Sequence, residues 1–226
     1  MTKPIILHHV PHSRSSRVLW ALEELGLDYE VELYQIADGS THSPEMLARS
    51  PAGRVPALEI DGTNIFESGA ILQYLAETRP DAGLGRQAGD PDRVRYLEVI
   101  HFAETMASLI EQLNLNHVFL RDPSKASPTV IKLNTRRFEA TLRALDVLLG
   151  DREYVLPSGF SAADIMLGFN LISASYYVHL DAVPRILAYR DRLIARPALQ
   201  AVLERDAENS FYSKDFYPIP EERHGG

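Results

Sequence analysis

The sequence predicts two domains, a small α/β domain followed by an all-α domain. In the first eighty residues, short strand-like stretches alternate with segments of helical spacing in the order βαβ, short helix, ββ, α. After residue 91 every periodic segment has helical spacing, and no convincing strand follows. Glycine, proline and aspartate dominate the segment from Pro80 to Pro91, which marks a linker. We therefore predict a first domain over residues 1–80, a linker over 81–91 and a helical domain over 92–226.

Each element of the first domain has a local signal. Ile5–Leu7 is a short apolar run that predicts a buried strand, and Tyr29–Tyr34 alternates apolar and acidic residues as a half-buried strand does. Asp61-Gly62 is a tight-turn signal that joins a strand over Val55–Ile60 to a strand that begins at Ile65. The predicted helices are Arg17–Leu25, which Gly26 ends, Pro44–Ala48, which Ser43 caps, and Glu67–Thr78.

The second domain is predicted to contain four helices and an extended tail. The helices span residues 93–120, 130–149, 162–177 and 185–194. Ser161 and Asp164 have the spacing of a capping box, which starts a helix by pairing its free N–H groups. The aromatic and then polar tail, SFYSKDFYPIPEERHGG, is expected to lie extended on the surface.

Composition excludes several classes of function. A net charge of −8 argues against broad nucleic-acid binding, which needs a basic face. No stretch approaches the ~20 apolar residues of a membrane span, and the first apolar run is too short for a signal peptide, so we expect a cytoplasmic protein with no membrane partner. The absence of cysteine excludes a disulfide framework, a thiolate metal site and a protein-thiol redox catalyst. Any sulfur chemistry must therefore use a thiol that arrives with a ligand.

A candidate ligand site lies around Val55-Pro56 and Glu67-Ser68. A proline at the start of a strand donates no ladder hydrogen bond, and a cis bond there would turn the backbone N–H and C=O of Val55 outward, toward a peptide-like ligand. The alternative is an ordinary proline at a strand edge. Glu67 and Ser68 stand at the start of the next helix, where free N–H groups favour an anion. Ser68 could hold a carboxylate while Glu67 pairs with an ammonium group, which fits a zwitterionic amino-acid head group.

The segments RVPALEIDGTNIFESGAILQYLAE and SGFSAADIMLGFNL resemble the soluble, cytosolic-type glutathione transferases, and the resemblance covers nearly the whole chain. It implies a thioredoxin-like first domain, a pocket for a small electrophile lined by the helical domain, and a homodimer. It also implies that glutathione is the co-substrate, activated as a thiolate without a metal. By the same resemblance, Val55, which Pro56 orients, would pair with the cysteinyl backbone of glutathione. Glu67 and Ser68 would bind its γ-glutamyl end. Arg54, or Arg49 as a second candidate, would bind the glycyl carboxylate.

The thiolate donor is sought in PHSRSSRVLW, since no tyrosine precedes Tyr29 and the chain has no cysteine. The stretch is most similar to a bacterial and fungal serine-type group, which implies Ser13 as the donor. In better-known serine classes the spacing would instead place the donor at His12, so Ser15, Arg14 and backbone N–H groups stay open. A further alternative is that the three serines only cap the helix that follows.

The electrophile pocket has the fewest sequence signals. The candidate residues are His101, Glu104, Thr105, Met106, Tyr176 and Phe211. Some of them could instead contact glutathione that is bound to a partner subunit. A metal on His8 and His9 is not expected, because neighbouring strand residues point to opposite faces. Two other functions stay open on this fold, a glutathione-dependent disulfide reductase or peroxidase and a glutathione-binding module with little chemistry.

Overall fold

The computed structural model describes residues 4–220, which form four strands and eight α-helices. The strands are β1 (Ile5–His9), β2 (Tyr29–Leu33), β3 (Ala57–Ile60) and β4 (Thr63–Phe66). The first three helices are α1 (Ser15–Glu24), α2 (Pro44–Arg49) and α3 (Ser68–Thr78). The helices that follow are α4 (Arg93–Asn114), α5 (Pro128–Leu149), α6 (Ala162–Ala174), α7 (Pro184–Ile194) and α8 (Pro197–Asp206).

The strands form one mixed sheet in the order β2-β1-β3-β4. β1 runs parallel to β2 and antiparallel to β3, so Leu7 lies opposite both Val31 and Leu58. A parallel pair needs a crossover connection, which α1 supplies. β3 and β4 form the predicted hairpin, whose turn residues Asp61 and Gly62 both have positive φ, 53° and 79°. This topology is the thioredoxin-like arrangement, and the helical domain follows it as predicted.

Several boundaries differ from the prediction. β3 begins at Ala57 rather than Val55, because Pro56 has no N–H to donate to the sheet. The helix predicted to reach residue 120 ends at Asn114, where a wide turn over Leu115–Phe119 replaces α-helical pairing. α8 is missing from the prediction. Pro197 occupies the first turn of this helix, where proline is tolerated.

One buried core joins the two domains. It extends from Leu7 of β1 through Trp20 of α1 to Met166 of α6. The predicted capping box at the start of α6 is confirmed, because the Ser161 side chain accepts from Ala163 N–H and Asp164 accepts from Ser161 N–H. α1 packs against both α6 and α8, so the first helix of the first domain is held in place by the second domain.

The predicted surface tail is partly wrong. Residues 210–220 lack regular secondary structure, but Tyr217 is buried and its backbone N–H donates to the Tyr176 carbonyl at 2.8 Å. The aromatic rings of the tail explain this, because Tyr217 packs near Tyr177 and His117. Residues 221–226 of the tail lie outside the described residues. Within residues 4–220, no helix is long and apolar enough to cross a membrane.

Candidate active site

A cleft of about 300 Å³ separates the β1–α1 loop from the second half of α4. Its first-domain wall is mainly polar and includes Ser13, Arg14, Thr41, His42, Arg54 and Val55. Its second-domain wall is mainly apolar and includes Ala107, Ile110, Glu111, Asn114, Leu115, Phe119, Phe169 and Phe211. A polar ligand and an apolar reactant could therefore bind next to each other in this cleft.

The three serines of the β1–α1 connection have different partners. Ser13 lines the cleft, and its Oγ accepts from the Ser15 N–H at 3.2 Å and lies 2.7 Å from Ser15 Oγ. Ser15 is completely buried behind Ser13, with its Oγ 3.1 Å from both the N and the O of Val10. Ser16 Oγ donates to Asp206 Oδ2 at 2.7 Å. Of the three, Ser13 is the one that caps an N–H of α1, so the alternative that all three only cap the helix is wrong.

Behind Ser15 lies a buried histidine–aspartate pair that the sequence did not reveal. His9 Nδ1 is 2.7 Å from Ser15 Oγ, and His9 Nε2 is 2.9 Å from Asp206 Oδ1. Asp206 is the last residue of α8 and also accepts from the backbone N–H of His12 at 3.1 Å. Burial acts to raise the pKa of Asp206, but the hydrogen bonds from His9, Ser16 and the His12 backbone outweigh burial and hold that pKa below its usual value. The pair was missed because it joins β1 to a helix that was not predicted.

Glu111 of α4 joins two arginines across the cleft. Arg14 Nη2 donates to Glu111 Oε2 at 2.9 Å, and Arg54 Nη1 donates to Glu111 Oε1 at 3.1 Å. Arg14 also reaches toward Glu104, with Nε 3.5 Å from Oε2. Glu111 thus occupies guanidinium positions that an incoming carboxylate would otherwise take.

The other predicted ligand contacts lie at the starts of β3 and α3. The bond between Val55 and Pro56 is cis, and Val55 lines the cleft. Glu67 is exposed, has a φ of 73° and directly precedes α3. Ser68 is the first residue of α3 and is almost completely buried. The structure therefore keeps both residues of the predicted head-group pair at one helix start, with only Glu67 open to solvent.

Arg17 of α1 is a further charged residue of this region. Its guanidinium is fully buried, and Nη1 donates to Ser68 Oγ at 2.9 Å. The same guanidinium pairs with Glu104 of α4 and donates to Asn170 Oδ1 of α6 at 2.8 Å. Burial lowers the pKa of Arg17, and the Glu104 carboxylate opposes that effect. A buried positive group therefore stands directly behind Ser68 and ties it to the second domain.

Comparisons with known proteins decide the family. Residues 3–77 match the family described as Glutathione S-transferase, N-terminal domain, and residues 128–205 match Glutathione S-transferase, C-terminal domain. The chain belongs to the glutathione S-transferase family. With both matched domains present, it is a glutathione transferase.

Relatives of this transferase resemble it over most of their length. Glutathione S-transferase 3 of Schizosaccharomyces pombe is 28% identical, over 96% of this chain and 98% of its own. Maleylacetoacetate isomerase of Rattus norvegicus is 34% identical, and the match covers 88% of this chain and 91% of that protein. Among solved structures, a glutathione transferase from Methylococcus capsulatus is 28% identical with a TM-score of 0.75, covering 90% of this chain and 99% of that one. A sphingomonad glutathione S-transferase complexed with glutathione is 28% identical with a TM-score of 0.73, and the match covers 89% of this chain and 98% of that one.

Several residues predicted to serve the transferase lie away from its cleft. Arg49 Nε donates to Glu59 Oε1 at 2.6 Å, so its guanidinium is held against β3. Met106 is completely buried in the core. His101 and Thr105 line a separate shallow groove on another face of α4. The cleft-facing positions of α4 are instead Ala107, Ile110, Glu111 and Asn114, which form one helical face further along the helix.

The remaining predicted pocket residues divide between two places. Phe211 lines the cleft of the transferase. Tyr176 instead stacks on Tyr212, with ring centroids 3.7 Å apart, and lines a small neighbouring cavity. Glu104 lies on the arginine side, paired with Arg14 and Arg17. Within the described part of the chain, no group of three or more histidine, aspartate or glutamate side chains could hold a metal ion.

Proposed function

We propose that this transferase binds glutathione along the polar wall of the cleft and transfers it to small, mostly hydrophobic electrophiles held at the apolar wall. The observation that carries this proposal is the position of Ser13. Among the described residues that line the cleft, Ser13 is the only serine, and it shares the cleft with Val55 and with the apolar Ile110 and Phe211. A hydroxyl placed in this way can donate a hydrogen bond to the sulfur of a ligand that pairs with Val55.

The rest of the glutathione molecule is proposed to extend from this wall to the start of α3, where Glu67 and Ser68 lie outside the lining of the cleft. The backbone of Val55 pairs with the cysteinyl unit, and Glu67 pairs with the γ-glutamyl ammonium group. The γ-glutamyl carboxylate binds at Ser68, where the start of α3 and the buried Arg17 guanidinium both favour an anion. Arg54, whose side chain is 65% exposed, is free to turn from Glu111 toward the glycyl carboxylate.

Ser13 and Arg14 are proposed to favour the thiolate over the thiol. A hydroxyl donor and a nearby guanidinium both stabilise S⁻, and electropositive surroundings lower thiol pKa values from ~8.5 to about 3.5–7.5. The thiolate then attacks the electrophilic carbon, forming a C–S bond while the leaving group departs or the adjacent unsaturated bond takes up the electron pair. Arg14 lines the same cleft and is available to assist.

Changing Ser13 to alanine tests this function. We expect the thiol pKa of bound glutathione to rise by about 1–2 units, because each unit corresponds to about 1.4 kcal/mol and one hydroxyl hydrogen bond to a charged group is worth about that much. Thiolate absorbance measured against pH gives the value directly. Ser108→Ala is the matched control, since that hydroxyl donates to the Thr105 carbonyl and does not line the cleft.

The other outcomes are distinct. A low thiol pKa that is unchanged in Ser13→Ala would move the donor role to Arg14 or to backbone N–H groups. An ordinary thiol pKa in the wild type would leave a glutathione-binding module. Turnover of a haloarene, a mixed disulfide and a hydroperoxide, compared side by side, separates transfer from reductase or peroxidase chemistry.

Replacing Glu111 with glutamine should lower KM for glutathione by about two- to fivefold. The exposed pairs that Glu111 makes are worth only about 0.2–1 kcal/mol each, but they compete with the glycyl carboxylate for Arg54. Initial rates at varied glutathione concentration measure the effect. Glu98→Gln is the control, because Glu98 pairs with Arg95 at 3.3 Å on the opposite side of α4 from the cleft. A rise in KM would mean that Glu111 holds the arginines in place for the ligand.

Four further features are proposed on the strength of the family. They are the division into residues 1–80, 81–91 and 92–226, a homodimer, a cytoplasmic location and membership of the serine-type group. His101 is exposed on α4 and is retained as a candidate cross-subunit contact. Sedimentation equilibrium measures the subunit number.

A further inference from the structure

A continuous row of hydrogen-bonding groups runs from the cleft into the protein interior. Ser13 Oγ lies 2.7 Å from Ser15 Oγ, and Ser15 Oγ lies 2.7 Å from His9 Nδ1. His9 Nε2 then lies 2.9 Å from Asp206 Oδ1. Ser15 and His9 are both 0% exposed, so the row is closed to solvent beyond Ser13. Each separation is short enough for a hydrogen bond between the named atoms.

We propose that His9, held by Asp206, accepts the thiol proton of bound glutathione through the hydroxyl groups of Ser15 and Ser13. This rests on the proposed function, in which Ser13 contacts the sulfur. His9 and Asp206 are positioning residues in this scheme, since neither lines the cleft. The arrangement has the connectivity of a serine–histidine–aspartate triad, but Ser15 is buried and passes a proton instead of attacking a substrate.

The direction of each hydrogen bond follows from counting donors. The Asp206 carboxylate accepts from His9 Nε2–H, so Nδ1 of the neutral ring is an acceptor. The single Ser15 proton can go to His9 Nδ1 at 2.7 Å or to the Val10 carbonyl at 3.1 Å, and the shorter contact favours His9. Ser15 Oγ then accepts from the Val10 N–H and from the Ser13 hydroxyl. Ser13 Oγ accepts from the Ser15 N–H and keeps one lone pair for a thiol S–H.

Transfer along the row is balanced. The thiol proton moves to Ser13 Oγ, the Ser13 proton moves to Ser15 Oγ, and the Ser15 proton moves to His9 Nδ1. Both hydroxyls are regenerated, and the hydrogen bonds that join the sulfur, Ser13, Ser15 and His9 Nδ1 are reversed, so that Ser13 now donates to S⁻. The products are a thiolate and an imidazolium next to the Asp206 carboxylate. When glutathione adds across an unsaturated bond of the electrophile, the proton returns along the same row to the adduct. When a leaving group departs instead, the proton returns along the row to Ser13 and passes to water in the cleft.

An acidic side chain faces the Nε2 side of the His9 ring. The titratable groups that face His9 are Asp206 from α8 and His12 from the β1–α1 loop. Asp206 is further held by the Ser16 hydroxyl and the His12 N–H, which keep it ionised and oriented. Burial lowers the pKa of His12, although Asp206 opposes this, so the His12 ring is neutral near pH 7 and adds no repulsion.

Proton counting tests the relay. The full-length enzyme is mixed with glutathione in weak buffer containing a pH-indicator dye, and thiolate absorbance is recorded in the same experiment. S-methylglutathione, which has no thiol, corrects for protons exchanged by other groups. We expect the wild type to release less than about half a proton per thiolate formed, because His9 retains the rest, whereas Ser15→Ala should release roughly one.

Two further variants make the test specific. His9→Asn keeps a polar group near the Nδ1 position but cannot take up a proton, so it should also release roughly one proton per thiolate. Ser108→Ala removes a hydroxyl that donates to the Thr105 carbonyl, outside the row, and should behave as the wild type does. If Ser15→Ala fails to fold, the comparison of His9→Asn with Ser108→Ala tests the relay. Release of a full proton by the wild type overturns the relay while leaving the transferase intact; the absence of any thiolate in the wild type overturns the proposed role of Ser13, and the relay with it.

Discussion

Replacing Gly168 with alanine is expected to lower the free energy of unfolding by about 2–3 kcal/mol. A Cβ at this position of α6 would lie 2.7 Å from Cζ3 and 2.9 Å from Cη2 of Trp20, and 3.1 Å from Cδ1 of Leu193. Trp20 is a rigid ring with 1% exposure, so it cannot move without displacing the core that joins the domains. Alanine gains about 1 kcal/mol of helix propensity over glycine, which reduces the loss but does not cancel it. Chemical denaturation followed by tryptophan fluorescence measures the change.

Gly69→Ala is the matched control for this substitution. Gly69 also lies in a helix that packs between the domains, but a Cβ there would be 3.6 Å from Ile100 Cγ2 and 3.7 Å from Met166 Cε, which are ordinary contacts. The variant should therefore be neutral or gain up to about 1 kcal/mol from helix propensity. Equal losses in the two variants would contradict the steric argument at Trp20.

Asp164→Ala should lower the free energy of unfolding by about 3–5 kcal/mol. The Asp164 carboxylate is completely buried and accepts from Val155 N–H at 2.9 Å, Ser161 N–H at 2.8 Å and the Tyr189 hydroxyl at 2.7 Å. Burial raises the pKa of Asp164 against the effect of these donors, so the site costs free energy to form. Removing the carboxylate leaves several buried donors without a partner, which costs more than the desolvation that is relieved.

An aspartate in a surface ion pair provides the control for Asp164. Asp146 accepts two hydrogen bonds from Arg185, at 2.9 Å and 2.6 Å, where both side chains are partly exposed. Asp146→Ala should cost less than about 1 kcal/mol. Denaturation midpoints of the two variants compare the two sites directly. A loss at Asp164 no larger than at Asp146 would show that the capping network contributes little, and Asp164→Asn, which keeps one acceptor, should fall between them.

The fold was predictable because its signals are local. The apolar run at Ile5, the turn at Asp61-Gly62 and the capping residues Ser161 and Asp164 each act through neighbours in the chain. Their structural outcomes agree, with a sheet, a hairpin and a capped helix at those positions. The predicted helix boundaries differ from the observed ones where one residue type is compatible with two local structures. Pro197 is an example, because a proline can interrupt one helix and also occupy the first turn of the next.

The candidate site was predictable in part, for a related reason. Val55, Pro56, Glu67 and Ser68 belong to two short segments whose chemistry is legible in isolation. The second wall of the cleft was not, because which face of α4 meets the first domain depends on how two separate domains pack. His101 and Thr105 have side chains as suitable as those of Glu111 and Asn114, but they lie on another face of that helix.

By itself, the sequence determined the class of each domain, the order along the chain of the strands and of every helix except α8, the lack of any protein thiol and the position of the glutathione-type motif. Tertiary structure decided which serine lines the cleft and which are buried behind it, and it alone brought Asp206 to His9 across 197 residues. The physical reason is how far apart in the sequence the interacting residues lie. Turns, caps and apolar periodicity are settled by interactions within a few residues, whereas a buried hydrogen-bonded pair between β1 and α8 forms only when both domains have packed against α1.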